Sequence, residues 1–128
     1  MTRRLLAEHE AAHAVVARHF GLPVQEIVIG RVSGRTLVDI AHAEPWQHAA
    51  VLAAGDLFNR EQGTVDYQDF GCSDLRVLDQ EYGLASLFGA NRAARSILVQ
   101  RRRAILTLAD QLMHTPLLRY DTRGQLVA

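Results

Sequence analysis

A single cysteine, Cys72, stands among 128 residues, so no disulfide can form within the chain. Charge of one sign is missing too: 14 basic side chains balance 14 acidic ones. Without a net field, recruitment of nucleic acid or of an anionic membrane surface has no global electrostatic support. Apolar runs stay far below the roughly 20 residues that span a bilayer, which argues against a membrane anchor. No basic segment, apolar core and cleavage site opens the sequence, and with the lone cysteine this points to a cytoplasmic protein. Internal repeats, low-complexity tracts and linkers are also lacking, so the expectation is one domain over residues 1–128. What is there is a globular composition, 48% apolar and 22% charged, with enough chain to bury a core.

Between Thr2 and Phe20, Leu5, Leu6, Ala12, Val15, Val16 and Phe20 recur at helical spacing, and Gly21-Leu22-Pro23 supplies a stop. Two segments rich in β-branched residues, Val24 to Ile29 and Thr36 to Ala41, flank a turn-like stretch from Gly30 to Gly34 and predict a small hairpin. Pro45 suits the first turn of a second helix that carries Trp46, Ala49, Ala50, Ala53 and Leu57 and ends before Gly63. Its Ala53-Ala54-Gly55 allows close helix packing. After a polar stretch, Ser73 is the expected N-cap of a short helix bearing Leu75, Leu78 and Tyr82, with Gly83 at its end. A last helical pattern runs from about Leu87 to Met113, followed by Pro116 and a polar tail. The expected fold is mainly α, of the α+β class, with one small β-hairpin after the first helix.

Within the first helix, His9-Glu10-Ala11-Ala12-His13 has the form His-Glu-x-x-His. Residues four apart share a helical face, so both imidazoles can reach one Zn²⁺ while Glu10 lies beside the ion. Zinc lowers the pKa of water to about 7, and a neighbouring glutamate can take the proton as the water attacks a polarised carbonyl. This is the outline of a hydrolase. A third protein ligand is required, and spacing leaves it open. His19 has the separation of an extended motif, but that motif has a glycine where this chain has Val16. An unbroken helix turns His19 about 240° from His13, away from the metal. Glu61 on the second helix, and a carboxylate of the group Asp66, Asp69 and Asp74, are the other options.

The sequence resembles the peptidase domain of the FtsH-type ATP-dependent zinc metalloproteases. The likeness runs through His9-Glu10-Ala11-Ala12-His13-Ala14-Val15-Val16, Gly21-Leu22-Pro23-Val24 and Glu26-Ile27-Val28-Ile29. It resumes at Val51-Leu52-Ala53-Ala54-Gly55, Gly71-Cys72-Ser73-Asp74-Leu75 and Glu81-Tyr82-Gly83-Leu84. The resemblance implies His9, His13 and Asp74 as zinc ligands and Glu10 as general base. A carboxylate in the first turn of a helix, as Asp74 would be, is held by the helix dipole. The chain departs from the family at Ala12, usually glycine, at Ser73, where Asn is usual, and at Asn59-Arg60, where a Glu-Glu pair is usual. The family's ATPase module and membrane helices have no counterpart here. The expected activity is therefore hydrolysis of peptides or unfolded protein, with a separate unfoldase or a homo-oligomer as the partner. The rival is a catalytically silent, zinc-stabilised binding or assembly domain of the same fold; a third reading is a different zinc hydrolase using Glu61.

Other features carry less. Cys72 reads as a small buried residue near the site, and His42 and His48 beside Trp46 as ordinary polar positions rather than a second metal site. Arg101-Arg102-Arg103, with Arg92 and Arg95, reads as a solvated basic helix face and not as a nucleic-acid contact, for lack of interleaved aromatics.

Overall fold

A computed structural model describes residues 2–61 and 72–127, with the side chains of Cys72, Ser73, Leu75 and Leu84 excepted. Helix α1 spans Arg3–His19. The Thr2 hydroxyl accepts the Leu5 N–H at 3.1 Å at its start. At its end Gly21, at φ 75°, lets the Leu22 N–H return to the Ala17 carbonyl at 2.9 Å. Every residue from Leu6 to Ala17 is buried. A helix covered all round needs small residues, and Ala7, Ala11, Ala12, Ala14 and Ala17 let neighbours approach on every side. α1 is thus the axle of the fold, and His9, Glu10 and His13 sit at its middle.

Strands β1 (Val24–Ile29) and β2 (Gly34–Val38) form the expected hairpin. β2 begins and ends earlier than the β-branched pattern suggested. Gly34 already pairs with Ile29, and past Val38 the Asp39 carboxylate accepts the Ala41 N–H and turns the chain away. Helices α2 (Pro45–Glu61) and α3 (Cys72–Tyr82) follow. α3 starts one residue before the proposed cap, so Ser73 lies inside its first turn. Gly83, at φ 81°, ends it, and a 3₁₀ turn, Leu84–Ser86, leads on.

The pattern read as one long final helix is two, α4 (Leu87–Gln100) and α5 (Arg102–His114), broken at Arg101. Apolar periodicity continues through the break, but its partners change. Ala90, Ala94, Ile97 and Leu98 serve α4, which packs chiefly on α2, whereas Ile105, Leu108, Ala109 and Leu112 serve α5, which packs on α1. One straight helix could not reach both surfaces.

The expected polar tail is instead a second hairpin, β3 (Leu117–Tyr120) and β4 (Leu126–Val127). Its turn is built by Asp121, whose carboxylate accepts the N–H groups of Arg123 and Gln125, both at 2.9 Å. β3 pairs with β1 and buries Leu118, completing an antiparallel sheet of order β2-β1-β3-β4. The fold is mainly helical with this small sheet, as expected in class, and β2 lies at a sheet edge beside the middle of α1. Among the described residues no helix is long and apolar enough to cross a membrane.

Candidate metal centre

His9 and His13 occupy successive turns of α1, each about 5% exposed. Their rings stand edge to face, with centroids 4.7 Å apart. Asp74, in the first turn of α3, projects between them. Its Oδ2 lies 3.1 Å from His9 Nε2 and 3.0 Å from His13 Nε2, and the two Nε2 atoms are 3.1 Å apart. Three donor atoms around a tetrahedral ion with bonds of about 2.0–2.1 Å lie roughly 3.3–3.4 Å from one another. The observed triangle is within a few tenths of an ångström of that.

The outward nitrogens fix which atoms face inward. His13 Nδ1–H donates to the Val51 carbonyl of α2 at 2.6 Å, and His9 Nδ1–H donates to Asn59 Oδ1 at 2.8 Å. Asn59 is fully buried and its amide nitrogen donates to the Leu5 carbonyl at 3.2 Å, which orients the amide. With both Nδ1 protons committed, both Nε2 lone pairs point at the Asp74 carboxylate. Three acceptors facing one another at this range repel unless a cation or proton lies among them. The titration behaviour reflects that. Burial opposes charge on His13, but Asp74, joined by Glu10, outweighs it and lifts the His13 pKa to about 9. Burial likewise opposes charge on Asp74, yet His13 and His9 hold its carboxyl far below the usual carboxylate range.

Gly55 of α2 makes the packing feasible. A Cβ there would stand 2.6 Å from His13 Nε2 and 2.7 Å from His9 Nε2. The Ala53-Ala54-Gly55 stretch thus brings α2 close to α1, as its small residues suggested, and the closest approach is onto the imidazoles themselves. Glu10 is held on the adjacent flank of α1, which faces β2. The Thr36 hydroxyl of β2 lies 2.8 Å from Glu10 Oε1 and can donate to it, and Gly34 gives way to the Glu10 side chain, where a Cβ would come 2.9 Å from Cγ. His9, Glu10, His13 and Asp74 open on one cleft of about 420 Å³, bordered by residues 32–38 of the β1–β2 turn and β2 and by His48, Val51 and Leu52 of α2.

The structure therefore brings together all four residues that the motif and the resemblance named. Among the described residues, His9, His13 and Asp74 are the one group of histidine, cysteine and acidic side chains arranged to hold a metal ion. His19 is exposed and accepts from Arg101 Nε at 3.4 Å, facing away as the helix geometry required. Glu61 pairs with Arg95 at 3.0 Å and takes no part in the group. His42 is exposed, and His48 bonds Tyr82 rather than a second metal cluster. Asp66, Asp69 and the Cys72 side chain lie outside the described residues. Sequence reasoning missed the supporting roles of Asn59, Thr36 and the Val51 carbonyl. One signal was present: Val51, Gly55 and Asn59 recur every four residues and so share one face of α2.

No model of a known protein family matches the chain, and no curated protein matches it either.

Proposed function

We propose that this chain is a zinc-dependent peptidase domain of the FtsH type, with His9, His13 and Asp74 as metal ligands and Glu10 as general base. The observation that carries the reading is the meeting of His9 Nε2, His13 Nε2 and Asp74 Oδ2 at 3.0–3.1 Å on the cleft that Glu10 also lines. Two imidazoles and a carboxylate, each set by a hydrogen-bond partner or a helix start, are a donor set that suits zinc. Among the described residues three side chains form the group, and three protein ligands are the pattern of catalytic zinc, whereas structural zinc takes four. Zinc held there supplies a Lewis acid that polarises a peptide carbonyl and makes water a better nucleophile near neutral pH. Glu10 stands ready to take the proton, its Oε1 oriented by Thr36.

The cleft favours extended polypeptide as substrate. Its wall is β2, an edge strand whose outer side is unpaired among the described residues, and strand addition would lay a substrate backbone across the site. Folded proteins would first have to be opened, so this reading implies that an unfoldase acts before the cleft.

Fluorescein-labelled denatured casein, incubated with the zinc-loaded chain, tests the proposal. The expected result is cleavage that disappears in Glu10→Gln while zinc is retained. A wild-type chain that holds zinc and cleaves nothing would instead favour the catalytically silent binding domain.

A further inference from the structure

The α2 face that meets the candidate centre is a row spaced by helical turns. Val51 offers its carbonyl to His13, Gly55 lies against both imidazoles, and Asn59 accepts from His9. One turn before Val51 stands His48, which lines the same cleft yet is no member of the metal-binding group. Its ring meets Tyr82 edge to face at 5.5 Å, and its Nδ1 is hydrogen-bonded to the Tyr82 hydroxyl at the end of α3. A phenolic O–H is a better donor than an imidazole N–H, and an imidazole nitrogen a better acceptor than a phenolic oxygen. Tyr82 therefore donates, Nδ1 accepts, and the ring proton resides on Nε2. Burial pushes the His48 pKa down against the opposing influence of Glu81, so the ring stays neutral at physiological pH. Among the described residues nothing accepts from Nε2–H.

We propose that His48 presents Nε2–H to the cleft as a fixed hydrogen-bond donor for a backbone carbonyl oxygen of bound polypeptide, with Tyr82 as the positioning residue that sets the tautomer. The catalytic consequence rests on the peptidase reading; the binding role does not. During attack on a peptide bond the carbonyl oxygen gains negative charge, so a donor aligned in advance strengthens as the reaction proceeds. A neutral imidazole suits this task because it donates without adding a competing positive charge beside the three metal-binding side chains.

Two measurements on the full, zinc-loaded chain test the proposal, both with one unstructured fluorogenic peptide as probe. The first is imidazole ¹⁵N NMR of Glu10→Gln, which binds without cleaving. His48 should show a protonated Nε2 whose proton resonance moves downfield when the peptide is added. The second is steady-state kinetics. His48→Phe keeps an aromatic ring against Tyr82 but removes the donor, and should lower kcat roughly 10²-fold with little change in KM or zinc content. His48→Gln, which retains an N–H donor, should recover part of the loss, and Tyr82→Phe should cost less because the ring then exchanges tautomers. A ring protonated on Nδ1, an Nε2–H resonance unmoved by saturating peptide, or wild-type kcat in His48→Phe would overturn the proposal. A peptide-dependent Nε2–H shift in a protein that cleaves nothing would uphold the binding role and defeat the peptidase reading alone.

Discussion

His9 and Asn59 lie 50 positions apart, and the imidazole Nδ1–H donates to the Asn59 amide oxygen at 2.8 Å in a fully buried setting. That bond decides which nitrogen of His9 faces Asp74. Asn59→Ala should weaken zinc binding by about 10–100-fold, the usual cost of removing the partner that orients a ligating histidine. It should also lower stability by about 1–3 kcal/mol, since the His9 Nδ1–H and the Leu5 carbonyl lose a buried partner. Competition against a chromophoric chelator and urea unfolding read the two effects, and unchanged zinc affinity would remove Asn59 from the site.

Gly55→Ala sets two effects against each other. Alanine favours a helix interior by about 0.8–1.0 kcal/mol over glycine. Against this, the new Cβ would press on both imidazoles at 2.6–2.7 Å, and their Nδ1 bonds leave the rings nowhere to swing. Overpacking of this kind costs about 1–3 kcal/mol, so the net expectation is a modest loss of stability with a larger loss of zinc affinity. A variant that gains stability and binds zinc normally would show that α2 can draw back from the rings.

The outline of the candidate site was legible because His9, Glu10 and His13 sit within five residues of one helix, where spacing alone fixes a common face. Helix α1, the strand β1 and the start of α2 were legible for the same reason: local pattern and end signals agree. Spacing left Asp74 open beside Asp66, Asp69 and Glu61, and only the resemblance, together with its expected place in the first turn of a helix, singled it out. Asn59 and Thr36 act only through tertiary approach, and a sequence does not announce which buried amide will meet which ring. The break at Arg101 and the β3–β4 hairpin were hidden for a related reason. Periodicity reports that a face is apolar, not which partner it meets, and a four-residue strand such as Leu117–Tyr120 owes its existence to the free edge of β1.

Metal-free protein should show a distinct pH dependence. The His13 pKa is raised from 6.5 to about 9 on folding, so its pairing with Asp74 stabilises fully below 6.5 and is lost as pH rises through about 9. The Asp74 pKa is depressed, so its contribution is present above its ordinary value of 3.8 and fades as pH falls below it. With a chelator present, the melting temperature should therefore peak on the mildly acidic side and fall between pH 6.5 and 9. The increment conferred by added zinc should run the other way, rising with pH as His13 gives up its proton. A chelated protein whose melting temperature is level from pH 6.5 to 9 would contradict the pairing.

Thr36→Val keeps shape and removes the hydroxyl placed to donate to Glu10 Oε1. A hydrogen bond to a charged group contributes about 1.5 kcal/mol at the low end, so kcat should fall at least roughly tenfold if Glu10 acts as the base. Zinc content should not change. Loss of zinc together with activity would mean that Thr36 supports the fold of α1 against β2 rather than the glutamate.

The central claim is that one metal ion is shared by His9, His13 and Asp74, and zinc affinity across single substitutions tests it most directly. Calorimetric titration of the wild type should give about one zinc per chain. His9→Ala, His13→Ala and Asp74→Ala should each lower affinity by more than the 10–100-fold that follows loss of an orienting partner. Glu61→Ala, His19→Ala and Asp69→Ala should bind as the wild type does. Wild-type affinity in Asp74→Ala, with the loss appearing instead in Asp69→Ala or Glu61→Ala, would contradict the claim.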